Sequence, residues 1–134
     1  MPFSFAAAAA STGAMKLTDS TGWLLGDPHH YDRDYCREVV TIGAGTLQPG
    51  TVLGQITVGG KYAAHDPNAT DGTETAVAVL WGKADASAGD VPGVALVRGP
   101  AIVNRHDLVF AGTPTEGEIA AAHTALLAEG ILVR

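Results

Sequence analysis

His29, His30, Asp32, Asp34 and Cys36 crowd into one short stretch of the chain and are the residue types that hold metals or carry thiol chemistry. A tetrahedral metal site needs three or four such side chains converging, and a CxxC or HxxxH pair is the usual way to preorganise them. Neither pair occurs here, and adjacent histidines in an extended segment point to opposite sides. The spacing favours a solvated polar loop. Cys36 could instead be a nucleophile with His65 or His106 as its base, the constellation of a small hydrolase. Any chain with one cysteine and five histidines offers that pairing, so a buried, inert thiol at a strand edge is the better expectation.

The remaining candidates carry less. Gly43-Ala44-Gly45 has the composition of a phosphate loop but opens into Thr46-Leu47-Gln48-Pro49 rather than a helix, so no helix N-terminus follows it to receive an anion. Asp66, Asp71, Glu74, Asp85 and Asp90 fall in turn-forming segments, with no pair placed by a rigid element for proton transfer. His123 lies on the apolar face of a predicted helix, where a core histidine is the ordinary outcome. Asn68-Ala69-Thr70 matches the glycosylation acceptor pattern, which has meaning only on a secretory route. No catalytic residue, metal ligand or cofactor-binding residue emerges, and the expectation is a protein that is not an enzyme and uses no cofactor.

The elements that must position these residues belong to a chain of 134 residues, enough for one small domain and a terminal arm. Only 16% of residues are charged against 46% hydrophobic. That is too little charge for so small a chain to screen its own surface, so some apolar surface is expected to meet a partner. The net charge of -6, the pI near 5.1 and eight scattered Lys and Arg argue against nucleic acid, whose phosphates need clustered cations. A single cysteine leaves no intrachain disulfide, as suits a chain matured in the cytosol. The alanine-rich stretch Phe3 to Ala10 has no Lys or Arg before it, which argues against a signal peptide. No run of about 18 apolar residues predicts a membrane span.

Two regions are expected. Residues 1–35 show neither helical nor strand periodicity and predict an extended N-terminal arm, whose one apolar island is Trp23-Leu24-Leu25 between Gly22 and Gly26. Such an island is too short for a core and reads as an anchor. Residues 36–134 predict a folded domain. Glu38 to Ile42 reads as a strand, Gln48-Pro49-Gly50-Thr51 as a type II turn, and Val52 to Val58 as a strand returning through Gly59-Gly60 into Lys61 to Ala64. Ala76 to Leu80, Val94 to Val97 and Ala101 to Val103 are continuous apolar runs, too short for helices, and predict buried strands. Thr115 and Glu118 form a capping box. Ile119, Ala122, His123 and Leu126 follow on one face, and Gly130 stands where a left-handed residue ends a helix. Ile131 to Val133 closes as a strand. The predicted fold is β-rich α+β: a small mixed β-sandwich or barrel-like domain with one C-terminal helix.

The order of Arg37-Glu38-Val39-Val40-Thr41, Pro49-Gly50-Thr51-Val52-Leu53-Gly54, Gly60-Lys61-Tyr62 and Asp66-Pro67-Asn68-Ala69-Thr70-Asp71-Gly72-Thr73 carries a resemblance. It continues through Ala76 to Leu80, Asp85-Ala86, Val97-Arg98-Gly99-Pro100-Ala101 and the ending Leu127 to Val133. From about Asp34 to Arg134 the chain resembles the bacteriophage head decoration protein family. The resemblance implies a structural homotrimer on the outer surface of the virion capsid, added at local threefold positions after the shell expands. There it would resist the pressure of packaged DNA, after synthesis in the host cytoplasm. It also implies the major capsid protein as partner, reached by the arm, with Trp23, Leu24 and Leu25 as capsid-binding residues that become ordered on the shell. Two departures stand out: an alanine-rich extension before Lys16, and Leu108-Val109-Phe110 where many relatives have a Trp-Pro pair. The competing readings are the Cys36 hydrolase and a β-rich module with a ligand pocket inside one chain.

Overall fold

The apolar runs of the sequence become strands whose two faces are buried in different places. A computed structural model describes the backbone of Leu24–Gly26 and all of residues 35–134. In chain order its strands are β1 (Leu24–Gly26), β2 (Arg37–Ile42), β3 (Thr46–Leu47), β4 (Val52–Gln55), β5 (Tyr62–Ala64), β6 (Ala76–Leu80), β7 (Ala84–Asp85), β8 (Val91–Leu96) and β9 (Ala101–Val103). Helix α1 (Glu116–Ala128) and strand β10 (Ile131–Val133) complete the chain. Five strands close into a barrel in the order β2-β5-β4-β6-β8, so the expected barrel-like form is the one adopted. Closure removes the open edges that an isolated five-stranded sheet would present. β9 is the centre of a second, three-stranded sheet, with β1 antiparallel on one side and β10 parallel on the other. A parallel pair needs a crossover connection, and α1 supplies it.

Period-two alternation explains both cores. Leu53, Ala78, Leu80 and Ala95 point into the barrel with Val40 and Ile42, and the two-stranded β3–β7 ribbon adds Leu47 and Ala84 to the same cluster. Their neighbours Val52, Val79 and Leu96 point out of the barrel and meet Ala122 and Leu126 of α1, with Val103 and Ile131 of the second sheet. Residues paired across strands share a destination: Val52 opposite Val79 outside, Leu53 opposite Ala78 inside. A wall buried on both faces has to be apolar at nearly every position, which is why β6 reads Ala-Val-Ala-Val-Leu.

Local signals place the ends. The turn at residues 48–51 closes with Thr51 N–H donating to the Gln48 carbonyl at 3.2 Å, and Gly50 takes the positive φ of 86° that a type II turn requires there. Both halves of the capping box form, with the Glu118 N–H on the Thr115 hydroxyl at 3.3 Å and the Thr115 N–H on the Glu118 carboxylate at 2.7 Å. Gly130, at φ 84°, ends the helix.

Three expectations are corrected. The strand from Val52 stops at Gln55 rather than Val58, because the Thr57 N–H turns away to the Asp71 carbonyl at 2.8 Å. Chain reversal into β5 then closes with the Ile56 N–H on the Lys61 carbonyl at 2.7 Å. β8 runs from Val91 to Leu96 rather than from Val94 to Val97, and so passes through Pro92. Pro92 lies beyond the pairing with β6, so one side of its backbone has no ladder to supply. Val94, expected in the core, is partly exposed on the outer face of β8. In addition, Leu24–Gly26, within the expected arm, pairs with β9, so these three residues have a place on their own domain.

Close backbone approaches fix one loop on the barrel and two other connections on each other. A Cβ on Gly54 would lie 2.5 Å from Thr73 Cα, and one on Gly99 would lie 1.8 Å from the Gly130 oxygen. Neither neighbour is a side chain that can swing aside. Gly82, by contrast, has open space around its missing Cβ. Gly54→Ala is expected to cost about 1–3 kcal/mol or more of stability through overpacking, whereas Gly82→Ala leaves it unchanged within about 0.5 kcal/mol. Urea unfolding of the two variants beside the wild type checks this, and equal midpoints would refute the packing assignment.

Candidate functional site

Helix α1 and the second sheet cover only part of the barrel's outer wall. Where β2 and β8 lie side by side beyond that cover, the outward alternation continues to present apolar groups to the surface. Val39 and Val94 are directly paired across the two strands and are 74% and 38% exposed. Thr41 and Pro92 form the next outward pair. Trp81 follows β6, and its N–H donates to the Val94 carbonyl at 2.8 Å. The Arg37 guanidinium lies 4.2 Å from the centre of the Trp81 ring, a cation–π contact that keeps a charge beside the patch without breaking its apolar surface. A shallow depression of about 340 Å³ runs over Val39, Trp81, Pro92 and Val94, with Lys83 at its edge.

Ion pairs flank this surface. Lys61 and Asp90 meet at 2.6 Å, as do Arg98 and Glu38. Arg98 also donates to the Tyr35 carbonyl at 2.5 Å and lies over the Tyr35 ring, which ties the entry of the domain to the end of β8. These pairs are about half exposed, so each contributes on the order of 0–1 kcal/mol; their effect is to fix where the charges lie. Such an arrangement buries apolar area in a docked partner and surrounds it with polar groups, the anatomy of a protein interface.

The residues read from the sequence as candidates are distributed as follows. His29, His30, Asp32 and Asp34 lie outside the described residues, and so does Trp23. Leu24 and Leu25 lie on β1, beside β9. Cys36 is fully buried in the core between barrel and helix, so a substrate arriving from solvent cannot reach its thiol. His106 is exposed in the turn after β9, where the Asn104 carboxamide oxygen accepts its N–H at 3.1 Å. His65 is buried, with Nδ1 on the Thr73 carbonyl oxygen at 2.8 Å. His123 packs on Phe110, and its Nε2 is buried without a hydrogen-bond partner among the described residues. Among the described residues no three His, Cys, Asp or Glu side chains converge as metal ligands would. Sequence reasoning missed the Val39–Val94 patch because it placed Val94 in a buried strand and read Val39 as a strand position without assigning it a face. The outward parity of Arg37, Val39 and Thr41 against inward Val40 and Ile42 was the available signal.

The family model for bacteriophage lambda head decoration protein D matches residues 8–131, a span that takes in the apolar island, the barrel, the helix and all of the second sheet but the last two residues of β10. No curated protein matches the chain.

His123 generates a test of the packing behind these surfaces. Burial first, and repulsion from Arg105 second, hold its pKa below the usual 6.5. The unfolded chain therefore takes up a proton near pH 6.5 that the folded chain resists. The folded state keeps its full stability above that pH and loses part of it as pH falls from 6.5 to the lowered folded value. His123→Phe, which keeps an aromatic ring against Phe110, is expected to flatten the pH dependence over this range. Thermal midpoints of wild type and variant from about pH 5 to 8 measure the difference, and parallel curves would show that His123 does not contribute.

Proposed function

We propose, from the premise that the chain belongs to the bacteriophage lambda head decoration protein D family, that it is a homotrimer holding neighbouring shell subunits together on the outside of an expanded phage head. Membership itself makes the chain a structural component of the capsid. The finer reading sets the trimers at local threefold positions on the outer capsid surface, after synthesis in the host cytoplasm, with the major capsid protein as partner. Stabilisation against the pressure of packaged DNA is the consequence. The family match over residues 8–131 carries this reading. The Val39–Val94 patch supports it, because an exposed apolar surface on a chain with so little charge is suited to burial between subunits or against a shell.

Energetics favour a trimer that binds through several weak attachments. Burying a large apolar side chain contributes about 1.5–3 kcal/mol, whereas fixing ten mobile residues opposes binding by about 10–20 kcal/mol. An arm ordered wholly on the shell could not rely on Trp23, Leu24 and Leu25 alone. Pairing of Leu24–Gly26 with β9 changes this balance, because three residues of the arm, two of them anchors, are already extended before any shell is met. Strand hydrogen bonds to the shell protein would add about 0.5–1.5 kcal/mol each. Three arms on one trimer make the later contacts effectively intramolecular, raising affinity by about 10²–10⁴.

Light scattering during size-exclusion chromatography is expected to return three times the chain mass of 13.7 kDa; a monomer at micromolar concentration would count against the trimer. Changing Trp23 and Leu24 together to Ala leaves the backbone pairing of β1 intact, so fold and trimer are expected to survive. Attachment to expanded heads, measured by co-sedimentation, is expected to drop at least about tenfold. Saturation of heads at unchanged affinity would transfer the shell contact from the arm to the domain.

A further inference from the structure

Helix α1 is covered by its own domain on one side only. Ala122 and Leu126 are buried against the barrel wall, while Gly117, Ala120, Ala121, Thr124, Leu127 and Ala128 share the opposite side at helical spacing and are exposed. A helix face left in water ordinarily carries charge, yet none of these six positions does. The Thr124 hydroxyl is already satisfied within the helix, donating to the Ala120 carbonyl at 3.0 Å. Leu127, a large apolar side chain, is 55% exposed. A helix that is apolar on every side is normally buried on every side. Small side chains alone would show only that the helix lacks bulk. The Val39–Val94 depression gives this face a counterpart: it is apolar, lies on the β2–β8 pair rather than over β6 where α1 packs, and so faces a different direction. Val58, also highly exposed, stands by itself in the connection before Gly59 and belongs to neither face.

We propose that the outer face of α1 in one copy of this chain lies over the Val39–Val94 depression of the next copy, an assignment that rests on the trimer reading above. Symmetry is the first argument. In a closed ring of three, each copy meets one neighbour through one surface and the other neighbour through a different surface, so a trimer needs two unlike faces that fit each other. Charge is the second. The segment from Glu116 to Glu129 carries Glu116, Glu118 and Glu129 and no Lys or Arg. The depression has Lys83 and no carboxylate among its lining residues, and the Arg37 guanidinium lies beside it on the Trp81 ring. Two copies of α1 would set like charges against each other, as would two copies of the depression, whereas one of each sets opposite charges around an apolar centre. Leu127 is the large side chain available to fill the depression over Val39 and Val94, and the small residues beside it let the helix approach the sheet closely.

Val39 and Leu127 are exposed in the single chain, so V39E and L127E are each expected to keep the wild-type circular dichroism spectrum while weakening trimer formation at least about tenfold, measured by sedimentation across a concentration series. A chemical test avoids any dependence on folding of those variants. The double variant V39C/L127C, treated with a short bis-maleimide, is expected to give covalent dimers and trimers on a denaturing gel, whereas V39C alone and L127C alone stay at the monomer. The native Cys36 thiol is fully buried and out of reach of the reagent. A trimeric wild type whose double-cysteine variant yields only monomer, or whose V39E and L127E variants stay trimeric, would overturn this pairing and leave the trimer standing. Cross-linking of L127C alone would show like faces meeting, against a pairing of unlike ones. Glutamate variants that remain trimeric but no longer attach to expanded heads would assign these faces to the shell, also against the proposal. A wild type that is monomeric even at millimolar concentration would overturn the trimer reading, and this interface with it.

Discussion

A strand buried on both faces must present an apolar side chain at every position, and the wall formed by β4, β6 and the end of β8 is built of such strands. Leu53, Leu80 and Ala95 fill the barrel from this wall, while Val52, Val79 and Leu96 form the floor on which α1, β9 and β10 pack. The two cores share one layer of backbone. Closure of the barrel and docking of the helix are therefore coupled, because displacing α1 would expose half of the wall that holds the barrel together. Gly99 against Gly130 and Gly54 against Thr73 are among the places where the packing leaves no room for a Cβ.

The same wall determines what the surface can do. Its cover is partial, and outward alternation along β2 and β8 continues past the edge of the cover into Val39, Val94 and Pro92. An apolar patch there follows from the geometry of the fold rather than from a separate insertion. Beyond the helix the surface changes character, with carboxylates from the loop 66–74 and the first turn of α1, and with His65 sunk behind them. One domain thus offers an apolar face beside a surface rich in carboxylates.

The place of the apolar island is a further consequence of the second sheet. β9 would have one open edge if only β10 flanked it, and Leu24–Gly26 occupies that edge. The segment expected as an arm is thereby tied to the domain at one short strand. Its attachment consists of three residues with an irregular register, far less than the pairing that holds β2 to β8.

Much of this was legible in the residues themselves. Thr115, Glu118 and Gly130 marked α1 because a capping box and a left-handed terminator depend only on neighbours within one or two turns. Gln48 to Thr51 marked its turn for the same reason, and the apolar runs at Ala76 to Leu80 and Ala101 to Val103 marked buried strands whose bounds proved correct. The family resemblance was also legible, since it rests on the order of residues along the chain. What the sequence could not show were the features set by residues distant in the chain. Thr57 leaves its strand because Asp71 holds its N–H, β8 passes through Pro92 because β6 does not reach that far, and β1 exists because β9 has an edge to fill. Val39 and Val94 are exposed, and His65 lines one depression with Glu74 and Glu118, for the same physical reason: burial and surroundings are set by which elements pack together, and only the folded chain decides that.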